Sequence, residues 1–226
     1  MQQLPLSPVL ETLVLQDCPQ FSPLLLRLAS TLRATVLSGN QLPLLGALPR
    51  LSALYLTPDN KKFTGLKCLE LAKSLRALNV WSIPRSLYDV CGRVQGLTTL
   101  VLSFVWPDME LTDAVALSIA RLHSMRDLTL HFARIEASFA LLPRSLEVLR
   151  LHTCQFQHER LLDLHHLPAL VKVVDAGADY PWNIHVDHEY EATIAKLYGE
   201  IERQLRVNRP SFVLEYSRNY IDNDSA

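Results

Sequence analysis

Glycine is scarce in this chain, with seven in 226 residues. Nucleotide-binding α/β enzymes need glycine where the backbone closes on a phosphate, and neither G-x-G-x-x-G nor G-x-x-x-x-G-K-[ST] occurs. Long apolar runs are missing too. None approaches the ~20 residues of a membrane-spanning helix, and no charged segment followed by an apolar run marks a secretory signal. The four cysteines lie far apart with no C-x-x-C, and Cys68 and Cys91 have no adjacent His–acid arrangement. G-x-S-x-G is also absent, so no nucleophilic machinery is visible and no cofactor is implied. The formal net charge of −1 gives no global basis for nucleic-acid binding. That charge is unevenly spread, however. Residues 1–100 carry ten Lys/Arg against five Asp/Glu, and residues 101–226 carry twelve against eighteen. Such polarity either steers a partner or is drift of surface composition.

Apolar residues are plentiful, at 49% of the chain, and they recur in a fixed frame. Leu10-Glu-Thr-Leu13-Val-Leu15-Gln-Asp-Cys18 reads L-x-x-L-x-L-x-x-C. The frame restarts at Leu32, Leu51, Leu75, Leu97, Met125, Leu146 and Leu170, at spacings of 22, 19, 24, 22, 28, 21 and 24 residues. Self-similarity at 20–30 residues is the mark of a solenoid. Within each unit the alternation predicts a strand whose positions 4 and 6 point inward and whose positions 3, 5 and 7 point outward. One unit cannot bury its own leucines, so stacking on neighbours is required. In such a stack Cys18 and Cys154, both at position 9, lie six units apart. A disulfide cannot span that distance, which points to reduced thiols and an intracellular setting, cytoplasmic or nuclear.

Between the strands, segments Phe63–Ser74, Leu111–His123 and His158–His166 read as helices. Thr112 is placed to cap the second, with Val115, Ile119 and Leu122 on one face. Proline-containing linkers 41–49 and 135–143 suit short or 3₁₀-like turns. Leu66-Lys-Cys-Leu69-Glu-Leu71 also fits the strand frame, but it begins nine residues before Leu75 and leaves no return path, so it is assigned to a helix. The eighth unit is ambiguous. Its frame buries Asp175, which is costly without a partner, whereas a shift by one residue buries Val174 and Ala176.

Beyond residue 178 the pattern changes. Asp187 can cap a helix over about His188–Arg206, with Tyr190, Ile194, Leu197, Ile201 and Leu205 in one stripe. Residues 211–216 alternate like one more strand. The division read from the sequence is therefore a repeat array of about eight irregular units over 1–178, a capping helix and strand over 179–217, and a polar tail over 218–226.

The whole frame resembles the leucine-rich-repeat superfamily, a horseshoe-shaped α/β solenoid with a parallel concave sheet. Leu111-Thr112-Asp113 through Leu122 to Met125-Arg-Asp-Leu128-Thr-Leu130, with Cys18 and Cys154, is similar to the cysteine-containing subtype found in F-box proteins. That resemblance implies a non-catalytic array that holds a substrate for a ubiquitin ligase. The first unit starts within about ten residues of Met1 with no F-box ahead of it, so a ubiquitin-ligase adaptor is expected as a partner only of a longer chain. A stand-alone scaffold or inhibitor is the alternative, and a hydrolase with an unrecognised site is the reading from another class.

In a horseshoe the outward strand residues form the usual contact surface. Tyr55, Asn79, Thr129 and Arg150 at position 5, and Trp81, His131 and His152 at position 7, are expected to grip a protein or peptide, with Phe104 at the rim. Aromatic and arginine side chains dominate interaction hot spots. The opposing reading is that the exposed aromatics pack on one another. His131 and His152 share a slot on neighbouring strands, and a metal would need further ligands beyond Asp127, so no metal site is assigned. Neither nucleic acid nor a membrane is expected as a partner.

Overall fold

The computed structural model describes residues 11–14, 27–57, 66–81, 94–104, 110–177 and 188–217. Among these residues nine strands form a single parallel sheet. They are β1 (Thr12–Val14), β2 (Ala34–Ser38), β3 (Ala53–Thr57), β4 (Ala77–Trp81), β5 (Thr99–Ser103), β7 (Asp127–His131), β9 (Val148–His152), β10 (Lys172–Ala176) and β11 (Val213–Ser217), hydrogen-bonded in that order. Two short strands, β6 (Glu110–Leu111) and β8 (Arg134–Ile135), pair parallel to each other in a second sheet. The fold class matches the α/β solenoid expected from the repeats.

The register is the sequence frame itself. Position 4 pairs with position 4 along the stack, as in Leu54↔Leu78, Leu78↔Leu100 and Leu128↔Leu149. Position 1 is completely buried from Leu32 through Leu170, and so are nearly all the inward leucines and valines at positions 4 and 6. Each buried leucine contributes ~1.5–3 kcal/mol relative to exposure, and the stack supplies the covering neighbour. Position 4 is polar at Thr35, which is buried and whose Oγ1 donates to the Leu13 carbonyl at 2.9 Å. A second ladder fixes the strand entrances. The amides of positions 2 and 3 both donate to the position-2 carbonyl of the preceding unit, as with Ser52 and Ala53 onto Arg33, and Arg126 and Asp127 onto Thr98.

The return paths differ from expectation in one respect. The unit with the 28-residue spacing holds an α-helix, α1 (Asp113–Ala120). The expected helices at 63–74 and 158–166 are 3₁₀ helices, Leu66–Leu71 and His158–His166, and residues 63–65 lie outside the described set. A 3₁₀ helix is slimmer and rises ~2.0 Å per residue, so it carries a short return across the unit with fewer residues than an α-helix. Gly39–Ala47, which contains Pro43, and Phe139–Leu141 are also 3₁₀. Thr112 does occupy the N-cap of α1 in extended backbone, but its side chain makes no capping bond. Its carbonyl accepts from the Ala116 amide instead.

The ambiguity in the eighth unit is resolved in favour of the unshifted frame. Val173 pairs with Leu149 and Asp175 with Leu151, and Asp175 is buried. Its carboxylate accepts from the Tyr198 hydroxyl of α2 (His188–Arg206), and that oxygen lies 2.9 Å from His158 Nδ1. Because the single hydroxyl proton points to Asp175, His158 Nδ1 is the donor in the second bond. The helix buries Ile194, Tyr198, Ile201 and Leu205, so the apolar stripe includes Tyr198 where Leu197 is only half-buried. Asp187 and the side chain of Tyr190 lie outside the described residues. After the helix, Arg209 sends its guanidinium back to the carbonyls of Leu164, Leu167 and Leu170 at 2.8–3.2 Å, over the Phe212 ring. Burial holds its pKa below the ordinary arginine value. β11 then extends the sheet, with Leu214 and Tyr216 turned inward beside Val173 and Asp175.

Candidate functional site

The parallel sheet brings the outward side chains of successive units into rows about 4.8 Å apart. From β1 to β5 the outward positions 3, 5 and 7 carry no charge. In this uncharged half, Tyr55 on β3 is 48% exposed and Trp81 on β4 is 55% exposed. Asn79, half-buried, is the register partner of Tyr55. Each ring offers a wide apolar surface with a hydrogen-bonding tip on a strand held by its neighbours.

The other half begins at β7 and is charged but internally paired. Arg150 bonds the Asp127 carboxylate across one strand, and Lys172 bonds Glu215 at 2.7 Å. His131 and His152, register partners at position 7, stack with ring centroids 4.6 Å apart and planes 18° apart. Burial, and then the charge of His152, holds the His131 pKa below 6.5. Burial, and then Arg150, does the same to His152. The pair is therefore neutral at physiological pH. Among the described residues no hydroxyl or thiol hydrogen-bonds to either ring, and no three His, Cys, Asp or Glu side chains converge as a metal cage.

Two expected contact residues are not on this surface. Phe104 is 2% exposed and Thr129 is 8% exposed. Thr129 is the register partner of Arg150, whose side chain bonds Asp127, two residues before Thr129. Phe104 turns inward because its backbone lacks the left-handed conformation of its counterparts. At the same position 8, Phe132 and Thr153 have φ of 58° and 54°, the only positive values at described non-glycine residues. That turn throws Phe132 outward, 39% exposed and 6.2 Å from the His131 ring. Phe132 is thus a surface aromatic that the sequence reading passed over, although it shares a slot with Phe104. The other expected residues, Tyr55, Asn79, Trp81, His131, Arg150 and His152, lie on one concave face. Cys154 is buried, and its thiol is pushed up to about 12 by burial, which makes it a core group rather than a nucleophile. Cys68 is a free thiol, and Cys18 and Cys91 lie outside the described residues.

No protein-family model matches the chain, and no curated protein matches it. Solved structures do. A TLR13–ssRNA13 complex aligns over 76% of this chain with a TM-score of 0.53 and 20% identity. An internalin (inlF) from Listeria monocytogenes aligns over 86%, with a TM-score of 0.47 and 14% identity. The fold is a leucine-rich-repeat solenoid. The chain spans 26% of the length of the first and 57% of the second. No described helix is long and apolar enough to cross a membrane.

Proposed function

We propose that this solenoid is a non-catalytic module that holds a protein or peptide on its concave face. The observation that carries the reading is the pair Tyr55 and Trp81, exposed on adjacent strands of an uncharged sheet surface. Such rings supply large contact area at low conformational cost, and truncating a central one typically removes more than about 2 kcal/mol of binding. Asn79 contributes hydrogen bonding beside them, and Arg150, His131 and His152 form a polar margin. The stacked, neutral imidazoles offer acceptor nitrogens to that partner. Within this class, the substrate-receptor arm of an F-box-type ubiquitin ligase is the most concrete reading, in an intracellular setting where Cys68 and Cys154 remain thiols. In that case the adaptor binds a segment outside these repeats.

The test is capture from cells by the tagged protein and by Trp81→Ala and Arg150→Glu variants, with partners identified by mass spectrometry. A specific partner retained by the wild type should fall by roughly tenfold or more with Trp81→Ala, while the far-ultraviolet circular dichroism is unchanged. Equal capture by folded variants would remove the concave face from consideration. The ligase reading further expects a ubiquitin-ligase adaptor in the capture when a longer chain is used.

A further inference from the structure

The edge where the chain enters each strand carries a different chemistry from the concave face. Position-2 side chains stand next to each other there, because each unit's entry amides bond to the preceding position-2 carbonyl. Two carboxylates already occupy this row. Glu11 accepts from Arg33 Nε at 3.1 Å, and Glu147 accepts from Arg126 Nη1 at 2.8 Å. An arginine facing a carboxylate one strand away is therefore the pairing this edge makes twice.

Arg76, midway along the row, has no such partner among the described residues. Its position-2 neighbours are Ser52 and Thr98, whose hydroxyls are turned to the Arg33 and Arg76 carbonyls. The guanidinium is nonetheless fixed in place. Nη1 donates to the carbonyls of Leu75 at 3.0 Å, Lys73 at 3.3 Å and Gly96 at 3.4 Å. Gly96 permits that position, since a Cβ there would come within 2.2 Å of Nη1. The remaining guanidinium N–H groups are left to take a ligand. An open cleft of about 630 Å³ lies beside it, lined by Arg76, Thr98, His123, Ser124 and Arg126, with Glu147 at its far side. Exposed Lys73 and Arg144 flank the same edge two residues ahead of their units' first leucines, as His123 does.

We infer that this cleft binds a carboxylate side chain of an acidic peptide segment, seated over Thr98 between Arg76 and Arg126. Thr98 lies one strand spacing, about 4.8 Å, from the backbone of each arginine. With Nη1 of each already bonded, the Nε and Nη2 groups are the planar fork that each turns to a carboxylate there. A run of phosphates fits less well. A polyanion laid along the row must pass Glu147 on one side or Glu11 on the other, and like charges brought together there oppose it. This site is distinct from the concave aromatic face and does not depend on the reading given to that face.

The experiment uses the whole protein and follows the arginine Nε–Hε signals by nuclear magnetic resonance. It is titrated with a short glutamate-rich peptide, its glutamine counterpart and a single-stranded oligonucleotide. The glutamate peptide should shift the Arg76 and Arg126 signals saturably, and the glutamine peptide should leave them unmoved. Thr98→Glu fills the gap with an internal carboxylate. It should move the Arg76 signal by itself, leave the fold intact and weaken peptide binding by on the order of tenfold. Arg76→Gln should weaken it similarly, and Trp81→Ala should not. The proposal is overturned by unchanged binding in Thr98→Glu, by equal loss in Trp81→Ala, by no response to the glutamate peptide, or by tighter binding of the oligonucleotide.

Discussion

At the scale of single residues, the outward strand positions divide into side chains that are free and side chains that are covered. His131 and His152 illustrate how neighbours decide. Either one alone on an open sheet would titrate near 6.5, but burial and adjacent positive charge hold both lower. The folded chain therefore resists protonation that the unfolded chain accepts. Stability from this pair is complete above pH 6.5 and is lost as pH falls through the lowered midpoints. Both imidazole midpoints, followed by their ring-proton shifts, should lie below 6.5, and His152→Gln should move that of His131 upward. Thermal melts from about pH 7.5 to about pH 5 should show a loss that is smaller in the His131→Gln/His152→Gln double variant. Midpoints at or above 6.5 would contradict the stacked geometry. Alternation alone gave the outward side of the strand for Tyr55, Asn79, Trp81, His131, Arg150 and His152. It did not give the burial of Phe104 and Thr129, or the exposure of Phe132. Alternation says which side of a strand a residue leaves from, but it does not report a positive φ after the strand or how far neighbours bury an outward threonine.

At the scale of elements, the strands were readable and the helices only partly so. Each strand repeats two signals, the inward pair and the position-1 leucine, and both are enforced by burial against two neighbours. The return segments obey weaker rules, and Leu66–Leu71 and His158–His166 take the tighter 3₁₀ form where a helix was expected. The capping helix shows the strongest coupling between elements. Tyr198 on α2 donates to Asp175 on β10 and accepts from His158, and its ring lies 4.5 Å from that of Tyr216 on β11. Tyr198→Phe keeps the ring and removes the hydroxyl, leaving a buried carboxylate short of a donor. Hydrogen bonds to charged groups contribute about 1.5–3 kcal/mol, so urea unfolding should show a loss of that order. A loss under about 0.5 kcal/mol would mean that the hydroxyl bond does not carry the docking of the cap.

At the scale of the whole molecule, stability is a sum of nearest-neighbour terms along one axis. β7, β9 and β10 each have a strand on both sides, and the final units are closed by α2 and β11. Among the described residues β1 is the edge of the sheet, paired with β2, and its Leu13 is only half-buried. Amide hydrogen exchange should therefore be fastest in β1 and slowest in β7 through β10. Uniform protection from β1 to β10 would show that the array unfolds as one cooperative block. The near-zero net charge conceals an arginine-rich entrance edge beside an uncharged sheet face, so net charge alone does not decide which ligands are excluded.

Which leucines are stacked, in what register and with which faces outward follows from chain order, because a period-2 strand repeated every 19–28 residues has one efficient way to bury its apolar side. Three outcomes needed the assembled chain. Asp175 stays inside because a tyrosine 23 residues away reaches it. Phe104 and Phe132 take opposite sides because their turns differ. Among the described residues Arg76 lacks a carboxylate because its lateral neighbours, 22 and 24 residues distant in the chain, are Thr98 and Ser52. The first and third depend on neighbours remote in sequence, and the second on a positive φ at Phe132 that strand alternation does not encode.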